Sequence, residues 1–112
     1  MNEIDLNNEI VEWHKQTFPD CTMESQLLKL DEELKEAADA PSISEKEKEF
    51  ADVYIVSLVL ARRFDSAIGH EFFKNMNVMD SHKLLKCVEK KMVVNKNRKW
   101  IKAGGVYRHE GY

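Results

Sequence analysis

The sequence predicts an all-α protein with a four-helix bundle architecture, and three observations carry that prediction. The 112-residue chain contains two prolines and four glycines, so long segments run without the residues that interrupt helices. The hydrophobic fraction of 43% and the charged fraction of 33% are ordinary for a helical globular chain. A chain of this length suffices for one domain, so residues 1–112 are predicted to form a single domain. The third observation for the all-α class is that apolar residues recur at helical spacing, as in the stripe Met23, Leu27, Leu30, Leu34 and Ala38.

The first two helices have clear start and stop signals. Helix one is predicted over residues 3–17 and ends before Pro19. Helix two is predicted over residues 23–39, with Thr22 as its N-cap. The break around Pro41 then separates helix two from helix three.

Helices three and four complete the predicted bundle. Ser44 and Glu47 have the S-x-x-E spacing of a capping box, so helix three is predicted to start at Ser44 and to run to about residue 64. Its run from residue 50 to 61 is apolar almost all round, which is typical of a helix buried on most sides. Helix four is predicted over residues 81–100.

Two segments carry weaker patterns. Residues 65–80 are predicted to hold a short extra helix at about 71–76 between two loops. The tail at residues 103–112 is rich in glycine and aromatic residues. It is predicted either to be flexible or to form a short extended arm on a partner subunit.

Composition excludes several classes of protein. The net charge of -3 gives no general field for nucleic acid or for a membrane surface. Two cysteines are too few for a disulfide framework and are expected to be reduced thiols. The acidic, polar N-terminus does not resemble a signal peptide, and the longest apolar run is far shorter than the ~20 residues of a membrane span. The expected location is therefore the cytoplasm.

Four acidic side chains are expected to converge between helices two and three. Glu33 and Glu36 are i,i+3 neighbours on helix two, and Glu49 and Asp52 are i,i+3 neighbours at the head of helix three. Helices joined by a tight loop pack antiparallel, which brings the two pairs face to face. Such a cluster repels itself without a cation, and carboxylate oxygens suit Mg²⁺, with Mn²⁺ as a substitute. The alternative is that the acids lie on solvated helix surfaces, which are common.

A second group of polar residues lies on helix four. Lys91, Asn95 and Arg98 share the helix face that Leu84 and Val88 make apolar one and two turns earlier. Lysine as a point charge and arginine as a bidentate fork hold phosphate oxygens well. The alternative is a solvated last turn whose cations complement the helix dipole.

These motifs carry a resemblance to a known family. The segments EELKE at 32–36, EFADV at 49–53 and KMVVNKNRKW at 91–100 resemble the MazG-like all-α nucleoside triphosphate pyrophosphohydrolases, which include dimeric dUTPases and dCTP pyrophosphatases. The lead-in TFPDCTMESQLLKLDEEL is similar to small single-domain members of the dATP/dGTP pyrophosphohydrolase type. The resemblance covers nearly the whole chain apart from residues 65–80.

The resemblance implies a function and a role for each motif. Family members are Mg²⁺-dependent hydrolases that convert a (deoxy)nucleoside triphosphate to the monophosphate and pyrophosphate, and they work as homodimers or homotetramers in nucleotide-pool control or house-cleaning. The implied metal ligands are Glu33, Glu36, Glu49 and Asp52, and the implied nucleotide-binding residues are Lys91, Asn95 and Arg98.

Further candidates follow from the positions of single residues. An acid of helix two, Glu32, Glu33 or Glu36, is expected to orient the attacking water, and the sequence leaves open which. Trp13 is the candidate for stacking on a base, the alternative being a core or interface tryptophan. Gln26 and Lys29 lie on the acidic stripe of helix two and are expected to touch base or phosphates.

Two further features narrow the choice of function. No G-x-x-x-x-G-K-[ST] loop is present, which excludes a P-loop NTPase. The rival to the enzyme is a non-catalytic helical oligomerisation module, in which the acids are solvated.

Base preference, the number of metal ions and the choice between dimer and tetramer are not determined by the motifs, although purine deoxynucleotides are weakly favoured by the resemblance.

Overall fold

A computed structural model describes residues 2–76, 81–103 and 106–109, and it confirms the all-α class. The predicted short helix is present beside the four long ones, and a small β-hairpin follows them. Pairing in the hairpin is antiparallel, with Trp100 opposite His109. In chain order the elements are α1 (Glu3–Thr17), α2 (Met23–Asp39), α3 (Ile43–Arg62), α4 (Ala67–Met76), α5 (Ser81–Asn97), β1 (Trp100–Ala103) and β2 (Val106–His109).

The first two helices have the bounds that the sequence predicts. Asn2 caps α1, and its side-chain oxygen accepts a hydrogen bond from the backbone N–H of Asp5 at 2.8 Å. Thr22 caps α2 through a reciprocal pair, in which its hydroxyl accepts from Ser25 N–H and the Ser25 hydroxyl accepts from Thr22 N–H. Each cap pairs amide donors that the first helical turn leaves without a partner.

The predicted cap of α3 was wrong by two residues. Ser42, not Ser44, is the N-cap, since its hydroxyl accepts from the backbone N–H of Glu45 at 3.2 Å. The S-x-x-E spacing occurs at both serines, and the short connection to α2 selects the earlier one. With this start, Lys46 lies close to the end of α2, where its ammonium donates to the carbonyls of Ala37 and Ala38 at 3.1 and 3.0 Å. That contact stabilises the C-terminus of α2 and fixes the antiparallel α2–α3 pair.

Helix α3 lies at the centre of the molecule and packs against α1, α2, α4 and α5. From residue 53 to 61 every side chain is buried, as the apolar run predicts. Its core residues pack with Leu6 and Ile10 of α1, Leu30 of α2 and Val88 of α5. Within the described residues, no helix combines the length and the apolar character that crossing a bilayer requires.

The short helix α4 is longer than expected and packs directly on α3. It begins at Ala67 rather than near residue 71, after a left-handed residue at Asp65 with φ of 51°. The Ser66 hydroxyl accepts from Gly69 N–H at 3.2 Å. A Cβ at Gly69 would lie 2.5 Å from the Cβ of Leu60, so glycine permits this close approach. The rest of the ambiguous segment, residues 77–80, lies outside the described residues.

Helix α5 ends at Asn97, three residues before the predicted end. The backbone N–H of Arg98 donates to the Asn95 carbonyl at 3.3 Å, which tightens the last turn and turns the chain into β1. Arg98 therefore follows the helix instead of lying on it. In the predicted tail, Val106–His109 pair with the chain's own β1, and residues 104, 105 and 110–112 lie outside the described residues.

Candidate functional site

A cavity of about 330 Å³ opens between the helices and the hairpin. It has an acidic end formed by α2 and α3, a cationic side formed by α5 and its extension, and an aromatic end formed by α1 and the hairpin. The residues that line it are Trp13, His14, Phe18, Cys21, Ser25, Gln26, Lys29, Glu33, Glu36, Glu49, Asp52, Ile55, Val56, Lys91, Asn95, Arg98, Trp100 and Tyr107.

Three of the four predicted metal ligands meet at the acidic end. Glu33 and Glu36 from α2 and Glu49 from α3 each place a carboxylate oxygen within 4.8 Å of the others. Glu33 is 5% exposed, and Glu36 and Glu49 are half-buried. The antiparallel α2–α3 pair thus produces the convergence that the two i,i+3 pairs predict.

Asp52 lies beside this trio but has a basic partner. Its Oδ2 is 3.2 Å from Nζ of Lys91, and the two side chains are 16% and 22% exposed. The expected convergence of four acids is therefore seen for Glu33, Glu36 and Glu49, while Asp52 lines the same cavity in an ion pair with Lys91. Helix α5 brings Lys91 across the same cavity, which pattern analysis of α2 and α3 alone does not reveal.

The acidic end disfavours negative charge. Burial, followed by the charge of Asp52, raises the pKa of Glu33 to about 8, although Lys29 lies 3.2 Å away and opposes the shift. Burial also raises the pKa of Glu49, with the charges of Asp52 and Glu36 adding to it. Burial raises the pKa of Asp52 as well, against the opposing effect of Lys91. Near neutral pH, protons therefore occupy part of this cluster.

Two orphaned oxygens show that the cluster fits a divalent cation. Oε2 of Glu33 and Oε2 of Glu49 are buried and have no hydrogen-bond partner among the described residues. A buried carboxylate oxygen without a partner is costly, and a hard cation coordinated by several carboxylates removes that cost. The donor set contains only oxygens, which matches Mg²⁺ or Mn²⁺ and not a thiol-binding metal.

The predicted nucleotide-binding residues line the cationic side. Asn95 is 6% exposed, and its Oδ1 accepts from Nη1 of Arg98 at 3.4 Å. The indole N–H of Trp100 donates to the Asn95 carbonyl at 3.1 Å. Asn95 therefore links the end of α5 to both the arginine and the hairpin. Lys29 lies on the opposite wall and pairs with Glu33.

Glu32 occupies a different position from its neighbours on α2. It does not line the cavity, its side chain is 29% exposed, and its carboxylate lies 4.0 Å from the Lys29 ammonium. Glu33 and Glu36 face the cavity, as the helical spacing requires. The catalytic role assigned to Glu32 stays a prediction and has less geometric support than the same role at the other two acids.

The aromatic end contains Trp13 and three residues that pattern analysis missed. Phe18 is at the centre of the group, with ring centroids 5.5 Å from Trp13, 5.3 Å from Trp100 and 4.4 Å from Tyr107. The Tyr107 hydroxyl donates to Asp20, which ties β2 to the connection between α1 and α2. The predicted stacking residue thus forms part of an apolar wall that also serves as packing.

A buried polar group lies next to the aromatic wall. His14 and Gln26 are each 5% exposed, and their side chains are hydrogen-bonded. Burial, followed by the charge of Arg63, lowers the pKa of His14 to about 3, so this imidazole is neutral at physiological pH. Cys21 Sγ lies 3.7 Å from Oε1 of Gln26. The sequence contained one signal for His14 as a site residue. It directly follows Trp13, the predicted stacking residue, on a helix that covers the cleft.

Metal-free stability is expected to fall as the pH rises from 6 to 8. The ordinary pKa of Glu33 is 4.5 and its folded value is about 8, so between these values the folded state binds more protons than the unfolded state. Unfolding free energy, measured by urea denaturation in EDTA, should drop on the order of 1 kcal/mol over that range. Saturating Mg²⁺ or Mn²⁺ should raise the melting temperature and reduce the drop, because the cation replaces the proton.

Glu33→Gln is the matched control for that experiment, since it removes the titrating carboxyl and keeps its size. The variant should lose most of the drop between pH 6 and 8. An equal drop in the parent and in the variant, with no response to either cation, would contradict both the buried carboxyl and the metal site.

Glu49→Gln and Asp52→Asn are expected to change metal-free stability in opposite ways. Glu49→Gln removes one acid from a crowded cluster, so the unfolding free energy should be unchanged or slightly higher. Asp52→Asn leaves Lys91 without its acid and should cost roughly 1–3 kcal/mol. Both variants should lose stabilisation by Mg²⁺. Denaturation curves with EDTA and with Mg²⁺ distinguish these results from the strong destabilisation by Glu49→Gln that a structural ion pair would give.

Comparison with known proteins bears on the fold. No family model matches the sequence, and no curated protein does. The chain is similar to a solved structure, the MazG-like pyrophosphohydrolase of cyanophage S-2L, which is bound to dGDP and to three catalytic Mn²⁺ ions per active site. The similarity covers 100% of this chain and 96% of the phage chain, with a TM-score of 0.51 and 24% identity. The polypeptide therefore has the fold of a MazG-like pyrophosphohydrolase.

Proposed function

We propose that this protein is a nucleotide pyrophosphohydrolase, a single-domain enzyme that uses Mg²⁺ or Mn²⁺ to hydrolyse (deoxy)nucleoside triphosphates to the monophosphate and pyrophosphate. The observation that carries the proposal is the convergence of three carboxylates within 4.8 Å at one end of a cavity. The cavity also has cations on its side and aromatic rings at its other end. The fold it shares with a phage pyrophosphohydrolase that binds dGDP and Mn²⁺ supports the same activity.

The acidic end is where divalent cations would be held. Glu33, Glu36 and Glu49 are the proposed ligands, and Asp52 joins them when the triphosphate takes over its partner Lys91. Bound there, Mg²⁺ would neutralise phosphate charge and lower the pKa of a bound water. The raised pKa values of Glu33 and Glu49 mean that these carboxyls release protons when they become ligands.

The protein's own cations bind the triphosphate. Lys91 and Arg98 lie on the side of the cavity opposite α2, and Asn95 holds the arginine. The guanidinium offers two parallel donors to phosphate oxygens, and Lys91 and Lys29 offer point charges. Phosphoryl chemistry requires mainly positioning and charge stabilisation, which this arrangement provides.

An acid on α2 orients the attacking water. Glu33 and Glu36 face the cavity and are the stronger candidates, while Glu32 lies outside it. A carboxyl with a pKa near neutrality is well suited to general base catalysis. At the other end, Trp13 stacks on the base, and purine deoxynucleotides are the favoured substrates.

The active enzyme is proposed to be a cytoplasmic homodimer or homotetramer that controls the nucleotide pool or removes unwanted nucleotides. Large apolar side chains on the monomer surface support the assembly, including Ile43 at 78%, Ile4 at 70% and Val93 at 62% exposure. A monomeric mass in multi-angle light scattering at micromolar concentration would contradict this assembly.

The rival function is a non-catalytic oligomerisation module whose acids are solvated. The 5% exposure of Glu33 and its unpartnered Oε2 favour the enzyme, because a solvated acid would have water at both oxygens. An interaction module also has no requirement for a cavity that combines buried acids with cations.

A pyrophosphate-release assay over the eight common nucleoside triphosphates tests the proposal. Turnover should require Mg²⁺ or Mn²⁺ and should stop in EDTA. Arg98→Ala and Asn95→Ala should each lower kcat/KM at least tenfold, about 1.4 kcal/mol, because the triphosphate loses the fork or its support.

The double variant Arg98→Ala/Asn95→Ala shows whether the two residues contribute independently to kcat/KM. If Asn95 acts by holding Arg98, the loss in the double variant should be smaller than the product of the single losses. Lys35→Ala, an exposed position on the outer side of α2, serves as the control and should leave kcat/KM unchanged. Absence of turnover with all eight nucleotides and both cations would favour the oligomerisation module.

A further inference from the structure

The buried polar group beside the aromatic wall is organised by one arginine. Nη1 of Arg63 lies 2.7 Å from Nδ1 of His14, and the same nitrogen donates to the carbonyl of Phe18 at 2.9 Å. Nη2 donates to the carbonyl of Pro19 at 3.3 Å. Arg63, at the C-cap of α3, thus holds both the end of α1 and the imidazole.

This contact determines which ring nitrogen of His14 carries the proton. A guanidinium has only donors and keeps its proton in proteins, so Nδ1 of His14 must accept. The single proton of the neutral imidazole is then on Nε2. That nitrogen is the donor in the hydrogen bond with Gln26.

The tautomer in turn determines the orientation of the Gln26 amide. Since His14 donates, the Gln26 atom that faces it must be the oxygen, Oε1. Sγ of Cys21 lies 3.7 Å from the same oxygen. Oε1 therefore faces His14 and Cys21 inside the protein. The NH₂ group of Gln26 has no hydrogen-bond partner among the described residues, and the side chain lines the cavity.

The position of Gln26 along α2 places this NH₂ group at the base end of the site. Gln26 precedes Glu33 by seven residues on the same helix, which corresponds to about 10 Å along the helix axis. Lys29 lies between them on the same face. A nucleotide whose phosphates lie at the acids therefore directs its base toward Gln26 and the aromatic wall.

We propose that Gln26, oriented by His14 and Arg63, selects nucleotides whose base has a ring carbonyl over those with an exocyclic amine. The inference rests on the proposed nucleotide site. Guanine and hypoxanthine present two acceptors, N7 and O6, to a pair of amide hydrogens, and thymine and uracil present O4. Adenine and cytosine place an amine at the corresponding position. The glutamine oxygen that would accept from that amine faces His14 and Cys21 instead, so the amine meets the NH₂ group, which is another donor.

The experiment compares two substrate pairs that differ mainly in carbonyl against amine, dITP against dATP and dUTP against dCTP. The parent should show a kcat/KM at least tenfold higher for the carbonyl member of each pair, as expected when a site leaves a buried polar group unpaired with the wrong substrate. Comparing dGTP with dITP isolates the 2-amino group, which this contact does not read. Equilibrium binding of dIMP and dAMP is measured alongside by calorimetry with Mn²⁺.

Variants at Gln26 test the contact itself. Gln26→Met keeps the length of the side chain without its donors, so the dITP/dATP ratio should approach one. Gln26→Glu turns an acceptor toward the base while the other oxygen accepts from His14, so the ratio should fall below one. Each ratio is taken within a single variant, so differences in the folded fraction cancel. Glu24→Gln, an exposed position on α2, should keep the parent ratio.

Variants at Arg63 test the positioning role. Arg63→Met removes the donor that sets the His14 tautomer and should lower the dITP/dATP ratio at least fivefold. Arg63→Lys retains a donor and should restore much of the ratio. A purely structural arginine would change the stability of both variants and leave their ratios at the parent value.

The outcomes separate this inference from the proposed function. Turnover of all four substrates with equal kcat/KM would leave the pyrophosphohydrolase in place and overturn the base selection. Binding of dIMP over dAMP without turnover would support the selection and overturn the enzyme. A parent preference that survives Gln26→Met would overturn the role of Gln26.

Discussion

The burial of α3 is the constraint on which the rest of this structure depends. A helix that is apolar on all sides over residues 53–61 has no face for solvent, so the other helices must surround it. Glu49 and Asp52 lie at the point where this helix enters the packed interior. Helix packing therefore holds their carboxylates in a partly dehydrated environment, although dehydration disfavours their negative charge.

That placement accounts for the electrostatics of the acidic end. Raised pKa values at Glu33, Glu49 and Asp52 share one leading cause, burial, and the mutual charges of the cluster add to it at Glu33 and Glu49. The cost of such a cluster is tolerable when a ligand removes it. The helix packing that buries the carboxylates also holds them in place before a cation binds. A hard divalent ion relieves their mutual repulsion when it binds, so the fold increases the affinity of the site for such ions.

The two ends of the cavity differ in the charge and the pairing of their polar groups. At the acidic end, charges are close together and incompletely paired, which suits the binding of cations and phosphates. At the aromatic end, His14 is kept neutral by burial and by Arg63, and the Gln26 amide has its oxygen towards His14 and Cys21 and its NH₂ group without a partner among the described residues. Neutral hydrogen-bonding groups discriminate between bases better than charges do, because their directions are fixed. Helix α2 connects the two ends, since its cavity face carries Gln26 as well as Glu33 and Glu36.

The sequence by itself determined the four long helices to within a few residues and three acids of the cluster, because both depend on local spacing. Helical periodicity and capping residues are read within a few positions, so α1 and α2 and the two i,i+3 pairs follow directly. Where two local signals were equivalent, as at Ser42 and Ser44, only the packing of Lys46 on the end of α2 selected one. The tertiary structure alone decided the pairing of Asp52 with Lys91, the turn of Arg98 into β1, and the arrangement of Arg63, His14 and Gln26. These contacts join residues that are distant in the chain, and their geometry is set by how helices pack around α3, which no local pattern encodes.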